Sequence, residues 1–166
     1  MIKEKEFIAL IKPHKGILVK VSKIYMDTQS DQEDMQQEIL FQLWKSYPNF
    51  KGNSQFSSWM YRVSVNTAIT FFKQKKKRPF SVLLTEKQYE KAEEIDTTKN
   101  EQLDHFYRAV RTLNEIEKAL ILYSVEGYSQ KEIAKQLGLS EVNTRVKLKR
   151  TKDKLRTIIK TQGYEF

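Results

Sequence analysis

The chain of 166 residues has no cysteine, only 3 prolines and only 5 glycines. Without cysteine it can form neither a disulfide framework nor a thiolate metal site, and it has no cysteine nucleophile. Its longest wholly apolar runs, 7–11 and 119–123, are too short to cross a bilayer, and its N-terminus lacks the pattern of a signal peptide. We therefore expect a cytoplasmic protein with no membrane insertion.

Positive charge dominates the sequence. The chain has 30 Lys and Arg residues against 21 Asp and Glu, a formal net charge of +9, and 39% hydrophobic residues, enough for packed cores. Residues 73–78 hold five cations, residues 145–160 hold eight cations and one acid, and residues 81–104 hold seven acids and three lysines. One basic run alone is typical of a solvated helix face. Two runs that each end a helical pattern favour two contacts with one long polyanion.

Apolar residues recur at helical spacing nearly throughout, and no strand-like alternation is visible. The pattern predicts an all-α fold of two small helical domains joined by a flexible linker. We place the first domain at 1–80, the linker at 81–100, the second domain at 101–162 and a C-terminal tail at 163–166. The linker prediction rests on weak periodicity and on a poor helix-forming sequence at its end.

Four helices are predicted in the first domain. Ser30 followed by Glu33 matches a capping box, which would open the third helix, and residues 47–54 have the composition of a loop. The apolar stripes predict helices near 7–11, over 17–25, over 35–44 and from about Phe56 to Lys76.

Residues 127–150 predict a helix-turn-helix motif. Ser129 with Glu132 would cap its first helix, Gly138 would end that helix in the left-handed conformation, and Ser140 would cap the second. The second helix would bury Thr144, Leu148, Thr151 and Leu155 and leave Glu141, Asn143, Arg145, Val146, Lys149 and Arg150 outward. A helix that presents Arg, Asn and Lys can lie in the DNA major groove. The alternative is that these two helices form a corner with a purely structural role.

A polar strip runs along the fourth predicted helix, formed by Arg62, Asn66, Thr70, Lys73 and Lys77. Such a strip of donors can follow a nucleic-acid backbone, with Asn66 contacting a base edge. The preceding loop places Gly52, Asn53 and Ser54 between Phe50 and Phe56, which suits an unstacked base. Ordinary core packing is the alternative for the aromatic residues Phe56, Trp59, Phe71 and Phe72.

Two segments, DMQQEILFQLW at 34–44 and FKGNSQFSSWMYRVSVN at 50–66, resemble region 2 of the extracytoplasmic-function (ECF) sigma factors of the sigma-70 family. The helix-turn-helix resembles region 4 of the same family. The match covers about 4–79 and 101–160 in the family's order. The region 2 pattern and the helix-turn-helix together are far more specific for this family than the helix-turn-helix alone. The resemblance implies a subunit that binds core RNA polymerase, directs it to the −35 and −10 elements of promoters and aids DNA melting.

The resemblance also implies which residues make each contact. For the −10 element these are Lys51, Asn53, Ser54, Phe56, Arg62, Asn66, Thr70, Lys73 and Lys77. For the −35 element they are Ser129, Gln130, Lys131, Asn143, Arg145, Val146, Lys149 and Arg150. For docking on the coiled coil of the largest polymerase subunit they are Asp34, Gln36, Gln37, Glu38 and Gln42. The implied partners are core RNA polymerase, including its flap region, promoter DNA and an anti-sigma factor.

Two other classes of function stay open at this point. A stand-alone helix-turn-helix regulator would need only residues 101–160 and would bind DNA without polymerase. A nucleic-acid enzyme is disfavoured, because His14 and His105 are the only histidines and neither has companion ligands at metal spacing. No phosphate-binding glycine loop is present either. We expect no catalysis, no cofactor and no metal.

Overall fold

A computed structural model describes residues 2–76 and 98–163 of the chain. The prediction for Lys77, and most of the predicted linker and tail, lie outside the described residues. The described part is helical, as the sequence predicts, and falls into two compact units, residues 1–90 and 91–166.

Residues 2–76 of the first unit, the part that the structure describes, form four α-helices and two short 3-10 turns. Helices α2, α3 and α4 pack around one core, in which Val21, Met35, Ile39, Leu43, Met60 and Val65 are fully buried. The helices are α1 (Ile2–Ile11), α2 (Lys15–Tyr25), α3 (Gln29–Ser46) and α4 (Phe56–Lys76), and the turns are Lys12–His14 and Tyr47–Asn49. The first helix begins earlier than its apolar stripe indicates, whereas α4 has the predicted ends.

The start of α3 differs from the prediction. The helix is capped by Thr28, whose hydroxyl accepts from the backbone N–H of Asp31 at 3.2 Å, and not by Ser30. With Thr28 as the cap, Asp31 lies in the first turn of the helix, where its nearly buried carboxylate pairs with Lys75 of α4. The predicted capping box at Ser30 is therefore not used, and the helix begins at Gln29.

The second unit contains α5 (Thr98–Arg111), α6 (Glu115–Val125), α7 (Gln130–Leu137) and α8 (Glu141–Thr161). Helix α8 packs against the other three, and the buried residues of this unit include Leu120, Ile133 and Leu148. The sequence analysis counted residues 98–100 as linker, but α5 already begins at Thr98.

The caps predicted at Ser129, Gly138 and Ser140 are confirmed, and Asn114 caps a further helix. Asn114 with Glu117, and Ser129 with Glu132, form complete capping boxes at the starts of α6 and α7. Gly138 has a φ of +68°, a left-handed conformation that is open to glycine without a steric penalty. Ser140 then caps α8 through the backbone N–H of Asn143 at 3.1 Å. These local bonds fix the short turn between α7 and α8.

None of the helices in the described ranges is long and apolar enough to cross a membrane.

Candidate nucleic-acid interface

Helix α8 has the two faces that its sequence predicts. Thr144, Leu148, Thr151 and Leu155 are buried against the rest of the unit. The predicted outward residues, Glu141, Asn143, Arg145, Val146, Lys149 and Arg150, are all exposed. The burial of the inner face fixes the rotation of the helix, so its cations point into solvent where they can meet DNA.

The N-terminus of α7 lies beside this basic face. Ser129, Gln130 and Lys131 are exposed there. Gln130 lines one side of a groove of about 290 Å³, and Arg145, Lys149, Lys152 and Arg156 of α8 line the other. Helix N-termini attract phosphate through their amide dipoles. The arrangement therefore suits a helix in the major groove whose neighbour lies against the DNA backbone.

The polar strip on α4 is exposed as predicted at Arg62, Asn66, Thr70 and Lys73. The hydroxyl of Thr70 donates to the backbone carbonyl of Asn66 at 3.1 Å. Since a hydroxyl has one hydrogen, Thr70 can only accept a hydrogen bond from a ligand.

The cations of the basic tract at 73–78 do not all face solvent in the same way. Lys75 turns back to pair with Asp31, and both side chains are nearly buried, at 11% and 12% exposure. Lys76 lies over the ring of Phe72, 4.5 Å from its centroid. Among the described cations of this tract, Lys73 is exposed and can meet a phosphate.

An aromatic cluster supports the loop before α4. The ring of Phe50 lies 5.1 Å from that of Trp59 and 5.6 Å from that of Phe56. These rings are half-buried, whereas residues 51–55, including Lys51, Asn53 and Ser54, are exposed above them. Gly52 has a φ of +77° and allows the sharp bend of the loop. The contacts among these rings agree with the core-packing alternative for Phe56 and Trp59.

Two groups at the border of this cluster come from other parts of the unit. The imidazole ring of His14 lies 6.0 Å from the ring of Phe56. Tyr47 contacts Trp59 and Phe7. Partial burial, and then the carboxylate of Glu6, raise the pKa of Tyr47 above its ordinary value. The phenol is therefore neutral at physiological pH.

The five residues of α3 that the resemblance implies for polymerase docking point in three directions. Asp34 and Gln37 are exposed. Gln36 is half-buried and donates to Ser22 of α2 at 2.9 Å, which corrects the expectation that it faces outward. Glu38 and Gln42 are joined by a 3.0 Å hydrogen bond and line a groove against α4. Of the five residues, only Asp34 and Gln37 thus lie on the fully solvent-exposed side of α3.

Two aromatic side chains on that solvent-facing side have no role predicted from the sequence. Phe41 is 56% exposed and Trp44 is 43% exposed. Positions 34, 37, 41 and 44 share one side of a helix because their spacing is three, four and three. An exposed apolar patch beside polar groups is typical of a protein contact. A helical-wheel count centred on Met35, Ile39 and Leu43 would have found it.

Comparisons with known proteins agree with these features. The profile for Sigma-70 region 2 matches residues 10–78, and that for Sigma-70, region 4 matches residues 103–155. Together the two matches span most of the chain, so it belongs to the sigma-70 family. Its relatives, described next, put it in the ECF group of that family.

Three curated relatives illustrate the similarity. The RNA polymerase sigma factor SigZ of Bacillus subtilis is 28% identical over 81% of this chain and 76% of its own length. The ECF RNA polymerase sigma factor SigG of Mycobacterium tuberculosis is 25% identical over 77% of this chain, but only 42% of its own length is covered. The ECF RNA polymerase sigma-E factor of Escherichia coli is 29% identical over 63% of this chain and 61% of its own length.

Two solved structures share the fold. The sigma factor RpoE of Bartonella quintana, in complex with the anti-sigma factor NepR, matches with a TM-score of 0.63 and 19% identity over 95% of this chain and 96% of that one. CnrH in complex with the cytosolic domain of CnrY matches with a TM-score of 0.66 and 18% identity over 95% and 90%.

Proposed function

We propose that this chain binds core RNA polymerase in the cytoplasm, places the polymerase on promoters through −10 and −35 contacts, and helps to open the duplex. The observation that carries the proposal is the basic face of α8, whose rotation is fixed by its buried inner residues. The strip on α4 supplies a second DNA-facing surface in a separate compact unit. A chain with two such surfaces can contact the −10 and −35 elements of one duplex.

The exposed side of α3, formed by Asp34, Gln37, Phe41 and Trp44, supplies the proposed polymerase contact. A stand-alone DNA-binding regulator has no need of such a face, which favours the polymerase subunit over that alternative. The aromatic rings serve as anchors, since aromatic side chains dominate the binding energy of protein interfaces.

The proposed −35 contact belongs to α8 and the start of α7. Arg145, Lys149 and Arg150 would contact bases or phosphates in the major groove, with Asn143 and Val146 beside them. Ser129, Gln130 and Lys131 would lie against the flanking phosphates. Phosphate contacts supply affinity, whereas the few base contacts supply specificity.

The proposed −10 contact belongs to the loop and to α4. Lys51, Asn53, Ser54 and Phe56 would hold one unstacked base. Arg62, Asn66, Thr70 and Lys73 would follow the DNA beyond it. Opening then needs binding energy alone, because stacking on an aromatic ring returns about 1–3 kcal/mol per base and offsets an unstacking cost of roughly a few kcal/mol.

An anti-sigma factor is proposed as a further partner. One of the solved structures described above, the sigma factor RpoE of Bartonella quintana, is a complex with the anti-sigma factor NepR. A neutral or acidic inhibitor could cover the exposed faces of either unit and so prevent polymerase or DNA contacts.

Reconstitution tests the proposal. The purified full chain is mixed with core RNA polymerase, and the mixture is analysed by gel filtration and by transcription from a library of genomic fragments. We expect a stable complex and transcripts that depend on the chain and start at a shared sequence. A chain that binds duplex DNA but neither joins polymerase nor supports a transcript would overturn the proposal in favour of the stand-alone regulator.

A further inference from the structure

A row of four lysines lies on α2 and in the turn before it, a part of the first unit to which no function has been assigned above. Residues 7–26 contain no Asp or Glu. Lys15 and Lys23 share one side of α2, with Lys20 beside them, because their spacing follows the helical period. Lys12 lies in the turn that precedes the helix. All four residues are exposed, so this lysine row presents four positive charges to solvent.

The buried side of α2 determines which way the lysine row points. Ile17, Val21 and Ile24 are buried, and α2 packs against α3 and α4. The lysines of α2 therefore point away from both neighbouring helices. Asp27, just beyond the end of α2, is the first acid that follows the row along the chain. The row is thus a separate surface, on a different helix from the polar strip of α4.

The side chains of the lysine row fit phosphates. A lysine carries a compact charge with three donors and no acceptor, on a flexible stem that follows its partner. Residues 12–25 include no Arg, Asn or Gln, whose planar groups commonly contact base edges. Contacts to phosphate supply affinity and carry no sequence information. A ligand of this row is therefore recognised by its negative charge alone.

The shape of the row favours a nucleic acid over a membrane or an acidic protein. The helix rises by about 12 Å between Lys15 and Lys23, and the phosphates of one DNA strand follow each other at about 3.4 Å of duplex axis. The row can therefore meet several phosphates of one strand. On α2, Val19 is the single large apolar side chain that is exposed. Membrane-surface helices and protein interfaces bury more apolar or aromatic area than this.

We propose that the lysine row of α2 is a second DNA-backbone contact of the first unit, which binds the phosphates of a duplex of any sequence. The affinity comes from the counterions that are released when lysines neutralise phosphates. Such a contact keeps the chain on DNA while its sequence-reading surfaces search. It needs neither polymerase nor a −10 or −35 sequence, so it goes beyond the proposed function.

The experiment measures binding of the full chain to fluorescent duplexes of random sequence, over a range of salt concentrations. Lys12→Gln combined with Lys15→Gln removes two charges of the lysine row. This double variant should bind about tenfold more weakly at low salt and lower the slope of the logarithmic salt plot by about two units, one for each lost phosphate contact. The loss should be the same on every duplex, because no base is contacted.

Lys3→Gln combined with Lys45→Gln is the matched control, because it removes the same charge from exposed positions on α1 and α3. It should change the affinity for DNA by less than about twofold and leave the salt slope nearly unchanged. If the two double variants lower the slope equally, the chain binds DNA through its net charge and the inference is wrong. Thermal unfolding of both variants checks that each one folds. A failure of the chain to join polymerase is a separate result, since this assay contains none.

Photocrosslinking tests whether DNA lies on this face. A benzophenone amino acid in place of Val19, in the middle of the lysine row, should crosslink to the random duplex. The same group in place of Phe41, on the exposed side of α3, should not. Vesicles of phosphatidylglycerol and phosphatidylcholine test the membrane alternative. Wild-type binding to these vesicles that Lys12→Gln with Lys15→Gln abolishes, together with an unchanged salt slope on DNA, would overturn the inference in favour of a lipid surface.

Discussion

The side-chain amide of Gln36 donates a 2.9 Å hydrogen bond to the hydroxyl of Ser22, which is fully buried in α2. The same hydroxyl donates to the backbone carbonyl of Val19 at 3.0 Å. Gln36 therefore joins two helices of the core, whereas its neighbour Gln37 is exposed. Two adjacent glutamines thus lie in different environments, one hydrogen-bonded between two helices and the other in solvent.

We predict that Gln36→Ala lowers the free energy of unfolding by about 1 kcal/mol, because the buried hydroxyl of Ser22 loses one of its two hydrogen bonds. For a unit of this size, that corresponds to a melting temperature lower by about 4–8 °C. Gln37→Ala should leave the melting temperature unchanged and lower the affinity for core polymerase roughly fivefold, as expected for a contact residue. Thermal unfolding and a polymerase-binding titration measure the two effects. Equal stability with weaker binding in Gln36→Ala would contradict its assignment to the core.

The ion pair of Asp31 with Lys75 leads to a second pair of matched substitutions. Both side chains are nearly buried, and removal of one partner leaves a buried charge without compensation. We predict that Lys75→Met lowers the free energy of unfolding by about 3 kcal/mol. Lys73→Met removes the same charge from an exposed site and should change stability by less than about 0.5 kcal/mol.

Denaturant unfolding of both variants measures this difference. The double variant Asp31→Asn with Lys75→Met should recover part of the loss, since no buried charge is left unpaired. DNA affinity should show the reverse order, with Lys73→Met the weaker binder. Similar stability of the two single variants would show that the ion pair contributes nothing.

Local signals explain which parts of this fold could be predicted from the sequence. The caps at Ser129 and Ser140, and the stripe that begins at Thr144, depend on residues three or four positions apart. Their spacing is visible in the chain itself. The exposed face of α8 follows directly from its buried stripe, so the side of the helix that carries Arg145 and Lys149 could be predicted.

Long-range contacts explain what the sequence could not predict. Asp31 and Lys75 lie 44 positions apart, so no local pattern predicts their ion pair. Gln36 contacts Ser22 across 14 positions. Polar residues on a helix are assigned to solvent by default, and only the packing of α2 and α4 reveals which of them turn inward.

The basic face of α8 gives a prediction for the −35 contact. Arg145→Ala or Lys149→Ala should weaken promoter binding by about 1–3 kcal/mol and relax preference at one upstream base pair, if the side chain contacts a base. Core affinity should not change, because these residues are far along the chain from α3. Lys154→Ala is the control, since it removes a cation from the same helix. Lys154 pairs with Glu117 at 3.3 Å and is not assigned to the DNA contact.

Promoter binding is measured over a range of salt concentrations. A pure phosphate contact would lower the slope of the logarithmic salt plot by about one unit and weaken all sequences equally. Lys154→Ala should have little effect on slope or preference. If Arg145→Ala and Lys154→Ala weaken binding to the same extent on every sequence, the basic face acts only through its charge.

Asn66 lies in the middle of the exposed strip on α4 and gives the last prediction. Asn66→Ala should impair opening of the duplex more than initial binding, because the amide would contact a base that becomes accessible only as the strands separate. Permanganate modification of unpaired thymines measures opening, and gel mobility at low temperature measures initial binding. On a template whose −10 region is already mismatched, the defect should shrink, since melting no longer has to be driven by the protein. A defect of the same size on both templates would place the contribution of Asn66 in closed-complex binding instead.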